Sequence, residues 1–202
     1  MSMFKGLFSS NKSEINLEVQ LFRALFEPNK QKVIDMIKKG KINLNAYRDN
    51  YSNTILINAV NCGSEFQGNN DQLELIHYLL DHKVNVNYIN DNGFNALHIA
   101  LANHNLSKVA LLLLKKGNPN VNDVERKHGN SPIFTAIREY GLTLREEQKE
   151  VNQLRFEIID ELLNRGAELN KKNKHGINAG TWLENIPKQD KLHKLINDYD
   201  GK

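Results

Sequence analysis

The sequence predicts an all-α solenoid of about five stacked helix-turn-helix units with hairpin-like turns between them. A turn rich in Asn, Asp and Gly, a short apolar segment, a longer apolar run and an Asn-containing tail recur in that order along the chain. Within these segments the apolar residues are three to four positions apart, which is typical of helices. Two such short helices cannot bury their apolar faces alone, so we expect the units to stack on one another.

Residues 90–122 show the repeated unit most clearly. Gly93 lies in the opening turn, where glycine tolerates a positive φ. Asn95 is placed to cap the first helix with its side-chain oxygen. The second helix should contain the apolar run 109–114, and Gly117 should end it in the left-handed conformation.

This unit resembles an ankyrin repeat, whose signature is about 33 residues long and carries a T-P-L-H-x-A core. Leu97, His98 and Ala100 match that core, while its Thr and Pro positions hold Asn and Ala. The resemblance implies that His98 hydrogen-bonds between adjacent turns. It also implies a concave surface of turn tips and first helices that binds other proteins. It covers roughly residues 14–199, and the chain is similar to small stand-alone ankyrin proteins of bacteria.

The remaining units repeat the scheme with unequal lengths. We expect a flexible tail at residues 1–12 and then one domain with units at residues 13–45, 46–87, 88–122, 123–170 and 171–202, the outer two being degenerate caps. Ser52 replaces the turn glycine in the second unit, and Trp182 should cover the apolar face of the last. The equivalent buried positions should be Leu56, Leu97 and Ile133, and likewise Ala59, Ala100 and Ala136.

The second and fourth units carry extra residues between their two helices. Residues 63–70 contain two glycines and are predicted to be a loop. In the fourth unit, Thr143 and Glu146 form a capping-box pattern, and good helix formers follow them. The sequence therefore predicts one continuous helix from about residue 144 to residue 164, with its first turns projecting beyond the stack.

Several function classes are disfavoured by what the sequence lacks. There is no apolar run of about 18 residues for a membrane span and no signal-peptide pattern. Cys62 is the only cysteine, so we expect a reducing compartment, the cytoplasm. No P-loop, G-x-G-x-x-G, H-E-x-x-H or C-x-x-C motif occurs. We therefore expect no enzyme, no cofactor and no metal, and an uncharacterised enzyme is an alternative that no motif supports.

The distribution of charge argues against nucleic acid as the partner. Residues 1–45, 46–170 and 171–202 carry net charges of +4, −4 and +3. A surface that follows phosphates would be basic in the middle of the stack. We therefore expect a protein partner whose contact surface is basic where it meets the acidic middle units, and a monomer when the chain is free.

The predicted function is protein binding through the concave surface, with Tyr51 and Phe94 as aromatic anchors. The candidate residues at the turn tips are Arg48, Asn50, Tyr51, Asn53, Ile89, Asp91, Asn92, Phe94, Glu125, Lys127, His128 and Asn130, and those on the first helices are Asn61, Ala102, Asn103, Arg138 and Glu139. Two narrower roles stay open. The chain could hold or block its partner as the immunity protein of a bacterial toxin does, or it could be a host-directed effector or intracellular adaptor.

Overall fold

The computed structural model describes residues 12–40 and 42–200, and the regular secondary structure within them is helical. The predicted tail, residues 1–12, lies outside this part of the chain apart from its last residue. Five helix pairs follow one another: α1 (Lys12–Phe26) with α2 (Lys30–Lys38), α3 (Ile55–Val60) with α4 (Asn70–Asp81), α5 (Ala96–Leu101) with α6 (Ser107–Leu112), α7 (Pro132–Gly141) with α8 (Lys149–Asn164), and α9 (Ala179–Leu183) with α10 (Lys191–Asp200).

The pairs stack into a solenoid, as the sequence predicts. The first helices contact each other in the order α1, α3, α5, α7, α9, and the second helices in the order α2, α4, α6, α8, α10. The predicted equivalent positions are all buried between the units: Leu56, Leu97, Ile133, Ala59, Ala100 and Ala136. The repeat register and the all-α solenoid are therefore confirmed.

Side-chain caps start the first helices at the predicted place. The side-chain oxygens of Thr54, Asn95 and Ser131 accept the backbone N–H three residues later. His98 completes this arrangement in the third unit, because its Nδ1 accepts the Asn95 N–H at 3.2 Å. Its Nε2 donates to the Asp123 carbonyl at 2.9 Å. The neutral imidazole thus joins adjacent turns, which is the role the resemblance implied.

Two ladders of hydrogen bonds set the spacing of the units. On the tail side, Asn45, Asn87 and Asn122 each accept a backbone N–H of the next unit through Oδ1, at 2.9, 2.9 and 3.0 Å. This bond gives the recurring Asn of the sequence its physical role. On the turn side, backbone N–H groups of Asp91, Arg126 and Lys174 donate to the carbonyls of Tyr51, Gly93 and His128, at 3.2, 3.0 and 2.9 Å.

The turns require the left-handed conformation at one position each. Gly93 has φ +87° there, and Ser52 takes the same place in the second unit with φ +57°. The prediction for Gly117 was wrong, because the left-handed residue is Asn118, with φ +51°. A Cβ on Gly117 would lie 3.2 Å from side-chain atoms of both Leu80 and Val86. Glycine therefore allows close packing against the second unit.

The prediction of a helix from residue 144 was wrong in its starting point. Helix α8 begins at Lys149, after a 3₁₀ turn at Glu146–Gln148. Thr143 caps no backbone N–H of that helix, since its hydroxyl donates to the Tyr140 carbonyl at the end of α7 at 2.9 Å. Its oxygen meets α8 only through the side-chain amide of Asn152, which donates to it at 3.5 Å. The helix as a whole packs into the stack, since it contacts α6, α7 and α10, while Lys149 and Glu150 at its start are exposed.

Candidate protein-binding groove on the concave surface

The turn tips and first helices of the first three units, together with Lys127 of the fourth, line two adjoining open cavities, of about 450 and 260 Å³. Both are lined by Tyr51, Asn53 and Asn61, so they form one continuous groove, which we call the Tyr51 groove. The larger cavity is also lined by Asn90, Asn92, Phe94, Ile99 and Lys127. The smaller is also lined by Phe22, Leu25, Phe26, Asp49 and Asn58.

Three exposed aromatic side chains lie together at the smaller cavity of this groove. Tyr51 is 52% exposed, Phe22 51% and Phe26 41%. The rings of Phe22 and Phe26 stack with centroids 5.8 Å apart, and Phe94 forms part of the opposite wall, half-buried. Large apolar surface that stays in contact with water in this way is typical of an interaction site.

The Tyr51 tip is held in place from beneath by Asp49. One carboxylate oxygen accepts the backbone N–H groups of Tyr51 and Asn53, both at 2.9 Å. The other accepts the side-chain amides of Asn53 and Asn58, both at 3.0 Å. The tip is thus ordered before any partner binds, which reduces the entropy cost of binding.

The Phe94 tip is built in the same way and is tied to its neighbour. Asn90 accepts the backbone N–H of Phe94 at 2.9 Å, and its amide donates to Asn53 Oδ1 at 2.7 Å. The Ser52 hydroxyl also donates to Asp91 Oδ2, at 2.8 Å. The two aromatic anchors predicted from the sequence therefore lie on joined turns that face one groove.

Three candidate residues, Asn53, Glu125 and Asn130, are buried and hold the turns rather than face a partner. Asn53 is buried between Asp49 and Asn90 and reaches the groove only as part of its floor. Glu125 is also buried, and its carboxylate accepts the backbone N–H groups of Lys127, His128 and Asn130 at 2.6, 2.8 and 3.1 Å. Glu125 is thus the counterpart of Asp49, and the sequence-based expectation that it meets a partner is corrected here.

The electrostatics of Glu125 fit this structural role. Burial alone would raise the pKa of its carboxyl group, but the three backbone N–H donors outweigh burial and lower the pKa below its usual range. The ionised carboxylate is therefore the form that holds the turn.

The other candidates lie outside the groove, and most are engaged with neighbours. The Arg48 guanidinium lies 3.9 Å from the centre of the Tyr88 ring. Asn103 donates to Gln67 at 3.1 Å and so anchors the loop of the second unit. Arg138 and Glu139 form an ion pair at 2.7 Å. Asn50 and Ala102 are exposed, Ile89 is half-buried, and His128 belongs to the tip of the fourth unit.

Arg155 is a buried charge that sequence reasoning missed. It is 2% exposed, donates from Nη1 to the Leu101 carbonyl at 3.3 Å, and has Nη2 4.0 Å from the Glu139 carboxylate. Burial lowers the pKa of its guanidinium, and Glu139 acts in the opposite direction. Arg155 fixes α8 against the end of α5. Nothing in a run of charged helix formers distinguishes it from its exposed neighbours.

Phe22 and Phe26 are the groove residues that the sequence could have revealed. Residues 17–26 contain seven apolar residues, more than the single face of a helix that stacks on one neighbour can bury. Leu21 and Leu25 fill that buried face. The excess of apolar residues indicates a second face on α1, and the structure shows that this face is exposed.

Other kinds of site find no support in the described part of the chain. No group of three or more His, Cys, Asp or Glu is arranged to hold a metal ion there. Cys62 is a buried thiol, and burial raises its pKa to about 11, which makes it a poor nucleophile. Among the helices described, none combines the length and apolar character needed to cross a membrane.

A comparison with protein families finds ankyrin repeats (many copies) at residues 65–113. The matched stretch runs from the loop of the second unit to the second helix of the third, and its helix pairs have counterparts on both sides. The match supports an ankyrin-repeat protein, a family that generally mediates protein–protein interaction and is typically not enzymatic. A search of curated proteins gives no match.

Proposed function

We propose that this chain is a protein-binding module that takes hold of a partner in the Tyr51 groove. The observation that supports it most directly is the cluster of Tyr51, Phe22 and Phe26, exposed at the edge of a preformed concavity. Aromatic residues at the centre of an interface contribute most of its binding energy when water is excluded around them. The hydrogen-bonded tip keeps Tyr51 in position, and helix α1 carries Phe22 and Phe26.

We infer that binding is how the chain acts, by holding or blocking its partner. Blocking would suit an immunity protein that covers the active surface of a bacterial toxin. Holding without inhibition would suit an effector or an adaptor. An assay of the partner's own activity with and without one equivalent of this chain separates the two roles, since only the blocking role abolishes that activity. We further propose a monomer in the cytoplasm, where the unpaired thiol of Cys62 would stay reduced.

The test uses a partner captured from the source cell, purified, and measured by calorimetry against matched variants. Phe94→Ala and Tyr51→Ala should each weaken binding by about 2 kcal/mol. Tyr78→Ala removes an aromatic side chain from α4, on the second-helix side of the stack, and should leave the affinity unchanged. Melting temperatures of the three variants show whether each remains folded.

A competing surface exists at the insertion of the fourth unit, where Leu142 is 62% exposed. Leu142→Ser should not change the affinity if the groove is the site. If the partner binds the Phe94→Ala and Tyr51→Ala proteins as tightly as the unmodified chain but loses affinity for Leu142→Ser, the groove is not the binding site and the proposal is wrong.

A further inference from the structure

One end of the concave surface carries a concentrated positive charge. The turn tips of the fourth and fifth units present Arg126, Lys127, Lys172 and Lys174, all exposed, together with the imidazoles of His128 and His175. We call these six residues the basic tips. No ion pair within residues 12–40 and 42–200 includes any of them. Within the described residues, the only carboxylate bonded inside these tips is that of Glu125, which is buried and accepts backbone N–H groups.

The two tips form one surface rather than two separate ones. His128 Nδ1 and His175 Nε2 are 3.3 Å apart, and the Lys174 backbone N–H donates to the His128 carbonyl at 2.9 Å. The Lys174 ammonium group also donates to the Arg126 carbonyl. The exposed cationic side chains of both tips therefore belong to one joined surface, where a negatively charged group could be attracted by several of them at once.

This surface continues directly into the Tyr51 groove, because Lys127 belongs to both. The expectation of a basic partner came from the net charge of residues 46–170, which does not separate the faces of the stack. Many acidic residues of this segment lie on α4 and α8, such as Glu74 and Glu157, and Glu125 is buried inside its own turn. At the fourth and fifth units, the exposed charged side chains of the turn tips are therefore positive, whereas Asp49 and Asp91 lie further along the groove.

We propose that the partner presents an acidic segment to the basic tips, next to the apolar or aromatic residue that enters the Tyr51 groove. The proposal rests on the proposed function and adds the chemistry and direction of the bound segment. Its Asp or Glu side chains lie over the fourth and fifth units, and its apolar anchor lies over the first three. A nucleic acid strand fits less well, since its phosphates would next meet the carboxylates of Asp49 and Asp91 along the groove.

The test uses peptides selected from a random 12-residue display library on the unmodified protein. Their affinities are then measured by fluorescence anisotropy. We expect Asp or Glu on one side of an aromatic or Leu residue in the selected sequences. Lys127→Glu with Lys172→Glu should weaken binding about tenfold or more at low salt, and by less at high salt. Lys108→Glu with Lys115→Glu changes the net charge equally at two exposed positions, one on α6 and one in the helical turn Leu113–Gly117 that follows it, and should have little effect.

Selection of basic or uncharged peptides, or equal losses in both double variants, would overturn the inference. The inference would also be overturned if a fluorescein-labelled 20-nucleotide single strand bound more tightly than the peptides and its affinity depended on Lys127 and Lys172. If the peptides respond to Phe94→Ala but not to the charge changes, the groove stands and only the acidic segment is wrong. If they respond to neither, the proposed function fails as well.

Discussion

Replacing Gly93 by alanine tests the contact between neighbouring turn tips, on which the groove depends. Gly93 has φ +87°, and a Cβ built on it would lie 2.5 Å from the Cβ of Arg126. It would also lie 3.2 Å from the Arg126 backbone nitrogen, which donates to the Gly93 carbonyl at 3.0 Å. The substitution therefore strains one backbone conformation and pushes two tips apart.

The magnitude follows from these two effects and from matched positions. The left-handed conformation of a non-glycine residue costs about 1–2 kcal/mol. Carbon atoms in contact lie about 3.5–4.0 Å apart, so the tips must separate by about 1 Å or more, and losing the hydrogen bond between them costs about a further 1 kcal/mol. Gly93→Ala should thus cost about 2–3 kcal/mol. Gly176 has φ +75° with nothing within 4 Å of its Cβ position. Gly176→Ala should therefore cost only the about 1–2 kcal/mol of the left-handed conformation.

Gly129 provides an intermediate case, because its Cβ would lie 3.1 Å from the Lys174 side chain and 3.2 Å from the Lys174 backbone nitrogen. The loss of stability should be smallest for Gly176→Ala, intermediate for Gly129→Ala and largest for Gly93→Ala. Urea unfolding followed by circular dichroism measures this as shifts of the midpoint. Equal losses at Gly93 and Gly176 would refute the reasoning, since the cost would then come from the backbone conformation alone.

Three further predictions concern buried polar groups. Burial lowers the pKa of His98, so below about pH 6.5 the unfolded chain binds the proton more readily than the folded chain does. The free energy of unfolding should therefore fall as the pH drops below about 6.5. Urea unfolding measured against pH should show a smaller fall in this range for His98→Gln. Arg155→Ala should destabilise the chain by about 2–4 kcal/mol, because it leaves a cavity and an unpaired Leu101 carbonyl. Arg155→Met fills the space without a charge and should cost about 1 kcal/mol or less. Urea unfolding measures both. Thr143→Ala should cost about 0.5–1.5 kcal/mol by the same assay. Hydrogen exchange of the backbone amides of residues 149–152 should change little, because Thr143 bonds to α8 only through the side chain of Asn152, at 3.5 Å.

The repeat architecture could be predicted because each local signal agrees with the global fold. Asn95 caps a helix, Leu97 points into the core between units and Gly93 takes a positive φ, and each choice is visible in the order of residue types alone. The start of α8 could not be predicted in this way. Thr143 has the right chemistry for an N-cap, but in the structure its hydroxyl bonds to the end of the preceding helix.

The candidate site was predictable only in part. Tyr51 and Phe94 are exposed or half-exposed at the tips, as aligning the units suggests. Glu125 was misplaced because its neighbours in sequence do not show that its carboxylate accepts three backbone N–H groups of its own turn. The basic tips were missed because a net charge summed along the chain adds residues from opposite faces.

The most direct test of the central claim is a chemical-shift map of the isotope-labelled chain bound to its partner. We predict that the shifts fall on the tips at residues 49–53, 90–94 and 126–128 and on Phe22 and Phe26, with the backbone of α4 and α6 unchanged. Shifts confined to residues 142–151, or to the second helices, would contradict the claim that the Tyr51 groove is the binding site.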